Sequence, residues 1–171
     1  MGEKKITVPL SGLKEGLHNF DFKIDSSFFE QFEYSEIQKG KADIKVILSK
    51  SQRLMTLEIT IAGEVEAECD LCLEMFDLPF NYKGKLYVKY GVEDEDSDEI
   101  LFIEDNASKV DLTQYIYESV YLSLPYKKNH PVDSEGKRGC NKTMIDKLNE
   151  HITDNEIITD PRWDKLKDIL N

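Results

Sequence analysis

Apolar and polar side chains alternate along the first half of the chain. Ile6 and Val8 alternate with polar neighbours, and so do Phe20, Phe22 and Ile24, then Ile44, Val46 and Leu48. The longest run is Met55, Leu57, Ile59 and Ile61, continued past Gly63 by Val65, Ala67 and Cys69. Phe76, Leu78, Phe80 and Tyr82 follow, then, past Gly84, Leu86, Val88 and Tyr90. Such a period of two puts one side-chain face on a core and the other in water, the pattern of antiparallel strands solvated on one side. Lys50 to Arg53 and Cys69 to Cys72 fall where turns should join these strands. Gly63 and Gly84 interrupt long strands, which predicts a bulge or bend at each.

The period then changes. Ser26 to Phe32 reads as a short helix between strands, capped by Asp25 or Ser26, with Glu30 closing a capping box on Ser27. From Asp111, residues Leu112, Tyr115, Ile116, Ser119 and Val120 share one helical face. Asp111 is placed to cap that helix and Pro125 closes it. Between the two halves, Glu93 to Glu99 holds six acids in seven residues, a solvated loop before a short strand at Ile100 to Ile103. The run lacks the glycine and terminal glutamate of an EF-hand calcium loop. Past Pro125 the chain turns polar and loop-like. Two short helices are expected near Thr143 to His151 and Trp163 to Leu170.

These elements predict one α+β domain over residues 1–171, strand-rich in 1–104 and helical with loops in 105–171. Its architecture is a curved antiparallel sheet of about six strands, bent towards a barrel, with C-terminal helices packed on one side. The core is assigned to Leu57, Ile59, Ile61, Val65, Leu78, Phe80, Leu86, Val88, Leu112, Ile116 and Val120. A chain of 171 residues is the size of one domain and large enough to hold a core without disulfides. No apolar run is long enough for a membrane span, and Met1 to Lys5 leads into an alternating segment unlike a signal peptide, so a cytosolic, cytoplasmic location is expected.

Charge narrows the partners. Thirty-four acids against twenty-two bases leave a net charge of −12, ill suited to general phosphate-backbone binding and better suited to a basic protein. The same charge can serve solubility alone. Five bases, Lys127, Lys128, Lys137, Arg138 and Lys142, crowd the most basic stretch, where any direct nucleic-acid contact would fall.

The most informative chemistry is Cys69-Asp70-Leu71-Cys72. Two residues between thiols let one tight turn aim both sulfurs at a zinc ion. His130 and Cys140, in the loop after Pro125, can supply two more ligands, giving a tetrahedral and closed structural site of Cys69, Cys72, His130 and Cys140. The rival readings are ordinary cytosolic thiols and a redox pair, although a thioredoxin-like motif sits at a helix N-terminus and this pair falls between antiparallel strands. No glycine-rich phosphate loop, G-x-S-x-G elbow or H-E-x-x-H motif is present, and His18 and His151 read as a strand-end and a helix-end residue. An enzyme is the less favoured class. Asp160-Pro161-Arg162-Trp163 reads as a cap, a proline at the first helical position and an amphipathic turn. Trp163 either docks that helix on the body or, with Arg162, anchors a partner.

Taken in order, Cys69-Asp70-x-Cys72-Leu73-Glu74, the acidic stretch, Leu122-x-Leu124-Pro125, a His/Cys loop and Asp160 to Trp163 resemble the YceD family of large ribosomal RNA subunit accumulation proteins. The resemblance spans about residues 5 to 170. It implies a non-enzymatic role in accumulation of 23S rRNA and in large-subunit biogenesis, with a large-subunit ribosomal protein or pre-ribosomal particle as partner. Many members carry closely spaced cysteines after the Leu-x-Leu-Pro, where this chain has only His130 and Cys140, farther apart. The expected partner-binding residues are Lys127, Lys128, Lys137, Arg138, Arg162 and Trp163. Two alternatives stand beside this reading: a metal- or thiol-dependent enzyme using Cys69 and Cys72, and a general interaction module.

Overall fold

Alternation becomes sheet wherever neighbouring strands can stack their apolar positions in register. The computed structural model describes residues 4–33, 35–51, 54–91 and 100–151. A short strand β1 (Thr7–Pro9) is followed by β2 (Gly16–Ile24), β3 (Gly40–Lys50), β4 (Met55–Glu68), β5 (Met75–Tyr90) and β6 (Ile100–Ile103). The last five form one sheet in the order β2-β3-β4-β5-β6. Phe22, Ile44, Ile61 and Tyr82 lie side by side across four strands, as do Leu48, Leu57 and Leu86 across three. Each fully buried aliphatic side chain in such a row contributes about 1.5–3 kcal/mol.

The apolar face is covered from three directions. Helix α1 (Ser26–Phe29) inserts Phe28 and Phe29, edge to face at 5.4 Å. Strand β7 (Lys109–Asp111) pairs antiparallel with β1, and this ribbon adds Val8 and Val110 to the same cluster. Helix α2 (Thr113–Ser123) packs against β5 and buries Ile116 and Val120. Tyr115 reaches from α2 to share a 2.7 Å hydroxyl hydrogen bond with Tyr82. All eleven residues assigned to the core from sequence are buried.

Several expectations are corrected. The main sheet has five strands among the described residues, not about six, and it is open, with β2 and β6 at its edges rather than closed into a barrel. It is mixed, because β6 runs parallel to β5; a four-residue apolar run marks a strand without specifying its direction. Gly63 and Gly84 cause no bulge, since the β3–β4–β5 register passes through both without a slip. Close approach explains them instead: a Cβ on Gly63 would stand 2.2 Å from the Lys41 carbonyl oxygen, and one on Gly84 would meet the Tyr82 ring. Glu30 forms no capping box, because α1 is a single turn that it terminates. Asp25 alone caps α1, accepting the Ser27 N–H at 3.1 Å while it pairs with Lys4.

Of the C-terminal helices, α2 packs on the sheet, whereas α3 (Lys142–His151) buries no residue. The acidic run at Glu93 to Glu99 and the helix expected at Trp163 to Leu170, with Arg162, lie outside the described residues. No helix among the described residues is long and apolar enough to cross a membrane.

Candidate metal centre

The antiparallel β4–β5 hairpin sets the first half of the centre. Its turn closes through the Cys69 N–H on the Glu74 carbonyl at 3.0 Å and the Leu73 N–H on the Cys69 carbonyl at 2.9 Å. This tight closure forces Leu73 to φ 60, a left-handed conformation that costs an L-residue about 1–2 kcal/mol. Within it, Cys69 and Cys72 are buried and both unbridged.

The second half is a small loop whose own sequence folds it back. Asp133 accepts the N–H groups of Glu135 and Lys137 at 2.9 and 2.8 Å, Gly136 adopts φ 80, and Val132 bridges Arg138. The reversal returns Cys140 to His130. A Cβ on Gly139 would already touch the His130 ring at 3.6 Å. Asn141 then starts α3, accepting the Thr143 N–H at 3.0 Å, while its amide donates to Glu74 Oε1 at 2.6 Å.

Two long-range latches join the halves. The Asp70 N–H donates to the Lys128 carbonyl and the Lys128 N–H to the Asp70 carboxylate. The His130 ring stacks on Phe76 of β5 at 4.4 Å. The sequence displays Asp70, Glu74 and Phe76, but their partners lie far along the chain, so periodicity assigns them no such role.

One ligand atom from each of Cys69, Cys72, His130 and Cys140 lies within 4.8 Å of the others. Cys69 Sγ to Cys140 Sγ is 3.9 Å, and His130 Nδ1 lies 3.6 Å from Cys72 Sγ and 3.7 Å from Cys140 Sγ. A tetrahedral zinc ion with Zn–S of ~2.3 Å and Zn–N of ~2.1 Å requires S···S edges of ~3.8 Å and S···N edges of ~3.6 Å. These three edges match a zinc tetrahedron, and the donors are of the kind zinc takes. Two of the thiols, Cys69 and Cys140, are polarised oppositely. Burial raises Cys69, but the backbone N–H groups of Cys72 and Leu71 and the contacts with His130 outweigh it and hold the thiol at about 6. Cys140 is pushed up to about 11 by burial and by its neighbour Cys69.

The cationic residues expected at a partner surface fall around this centre. Lys127 is exposed, Lys128 pairs with Glu36 at 3.8 Å, Lys137 pairs with Glu135 at 3.2 Å, and Arg138 donates to the His130 carbonyl at 3.2 Å. Arg162 and Trp163 lie outside the described residues. The redox-pair reading loses its structural basis, because Cys69 and Cys72 sit in a hairpin turn and not at a helix N-terminus.

The family model described as Large ribosomal RNA subunit accumulation protein YceD matches residues 57–170. No curated protein and no solved structure matches the chain. The matched span takes in β4 from Leu57 onward, all of β5 and all four residues of the Cys/His cluster, and the chain belongs to the YceD family of large ribosomal RNA subunit accumulation proteins.

Proposed function

We propose that this protein is a cytoplasmic, non-enzymatic factor of large-subunit biogenesis. It supports accumulation or processing of 23S rRNA by binding a ribosomal protein or a pre-ribosomal particle. Cys69, Cys72, His130 and Cys140 hold a structural zinc ion whose task is to fasten the C-terminal loop to the sheet. The observation that carries this reading is the closed ligand set. Four protein ligands fill a tetrahedral zinc ion and leave no position for a water or a substrate. The net charge of −12 adds a preference for a basic protein partner. Any direct contact with rRNA falls to the basic segment from Lys127 to Lys142, carrying Lys127, Lys128, Lys137, Arg138 and Lys142. The enzyme alternative gains no support from a closed site.

Deletion of the gene tests the role: the ratio of 23S to 16S rRNA falls, and an unchanged ratio with normal subunit profiles rejects it. Metal analysis of protein purified without chelator tests the centre: zinc is equimolar with the chain and is lost in Cys72→Ser. Affinity capture with and without nuclease separates a protein partner from one held through RNA.

A further inference from the structure

Two adjoining surface grooves, each of about 300 Å³, meet at Glu36 and Tyr121. The first lies between the end of β4 and the last turn of α2, floored by the buried Ile37 and Val65 and flanked by Met75 and Leu124. The second continues along α2 past Tyr117 to Leu122. Apolar surface is left open here: Met75 is 55%, Tyr121 41% and Leu122 80% exposed. Carboxylates rim it, Glu36, Glu66 and Glu68 on one groove and Glu118 on the other. Lys128 and Lys39 offset Glu36 and Glu66 in part, but no ion pair among the described residues engages Glu68 or Glu118.

An apolar floor inside an acidic rim recognises an apolar side chain flanked by cations. We propose that this double groove docks a lysine- or arginine-rich segment of a basic protein, deepening the reading that the partner is basic and resting on it. A leucine-sized anchor fills the floor between Val65 and Leu124. Flanking cations meet Glu68 and Glu118 and lie over the exposed ring of Tyr121, where the π-face attracts them. The metal centre then has a mechanical role in docking. Glu68 precedes Cys69, Lys128 lies two residues before His130, and both line the groove, so the ion that joins these cysteines and histidine also fixes two of its walls.

Fluorescence anisotropy with the full chain tests this. The probes are a labelled short synthetic peptide of lysine, arginine and leucine, the same peptide with serine for leucine, and an oligouridylate of similar length. The leucine peptide binds, and serine replacement, Glu68→Lys, Glu118→Lys and Leu122→Ser each weaken it by about tenfold or more. Asp21→Lys changes net charge as much as either charge reversal but sits exposed on β2 of the sheet, and it leaves affinity within about twofold. Zinc content and circular dichroism of Glu68→Lys check its fold, and Glu118→Lys, away from the cysteines in sequence, serves if it fails. Equal losses in Asp21→Lys overturn the groove while the basic-partner reading stands. Absence of binding by either peptide overturns both, and preference for the oligouridylate overturns the groove in favour of nucleic acid.

Discussion

Asp70 and Lys128 latch to each other across the fold: the Asp70 N–H meets the Lys128 carbonyl at 2.8 Å, and the Lys128 N–H meets Asp70 Oδ2 at 2.6 Å. The loop bearing His130 is thus registered against the cysteine turn by one backbone–backbone bond and one bond to the Asp70 carboxylate. Asp70→Ala removes the carboxylate acceptor and lowers unfolding free energy by about 1 kcal/mol. It also weakens zinc binding by at least about tenfold, as losing a group that orients a ligand does. Asp70→Asn keeps an acceptor and most of the affinity. Urea unfolding and competition with a chromophoric chelator measure both effects, and wild-type zinc affinity in Asp70→Ala rules out the orienting role.

Cys69 and Cys140 give metal binding a pH dependence whose sign is fixed. Cys69, lowered from 9.0 to about 6, adds to metal-free stability above pH 9.0, and that contribution is lost as pH falls through about 6. Cys140, raised from 9.0 to about 11, contributes below pH 9.0 and loses that contribution as pH rises through about 11. Zinc needs both as thiolates. Uptake at neutral pH therefore displaces the Cys140 proton, and affinity rises with pH, falling more steeply below about 6 where Cys69 also holds its proton. Zinc titration in weakly buffered solution with a pH indicator reads the proton release; uptake without acidification contradicts it.

Leu73 is held at φ 60 with its side chain 59% exposed. Glycine adopts that conformation freely, while the exposed leucine contributes little burial. Leu73→Gly therefore stabilises the fold, by less than about 1 kcal/mol once glycine's greater unfolded freedom is counted. The thermal midpoint rises by a few degrees at most, roughly 2–4 °C. A fall in midpoint instead assigns the Leu73 side chain a packing role.

Gly63 admits no side chain. Its Cβ would stand 2.2 Å from the Lys41 carbonyl oxygen and 2.6 Å from Ala42 Cβ, on backbone held by β3–β4 pairing. Gly63→Ala separates the two central strands locally and costs about 3 kcal/mol, at the upper end of overpacking in a core. Equilibrium denaturation measures it, and a loss below about 1 kcal/mol means that the ladder yields more easily than a paired sheet should.

The strands were legible because burial on one face leaves a record at every second residue. Ile44, Val46 and Leu48 could be assigned to one core face before any partner strand was known. The start of α2 was readable for the same local reason, although Leu112 and not Asp111 is its N-cap: from one residue earlier, at the end of β7, the Asp111 carboxylate accepts the Thr113 N–H at 2.9 Å. The parallel placement of β6 was not, since four half-buried residues in a row carry no direction. Nor was the reason for Gly63 and Gly84, because a missing side chain records a close approach without naming what approaches.

The candidate centre divides in the same way. By itself the sequence determined its chemistry: three thiols and an imidazole, two of the thiols spaced for one tight turn, in a chain whose charge favours a basic partner. Only the tertiary structure decided that His130 Nδ1 and Cys140 Sγ arrive at zinc-sized distances from the Cys69–Cys72 turn. That arrival depends on the Asp133 reversal, the Asp70–Lys128 latch and the Phe76–His130 stack acting together. The physical reason is that ligand identity belongs to single residues, whereas a tetrahedron is a relation among distant ones, set by contacts that leave no period in the sequence.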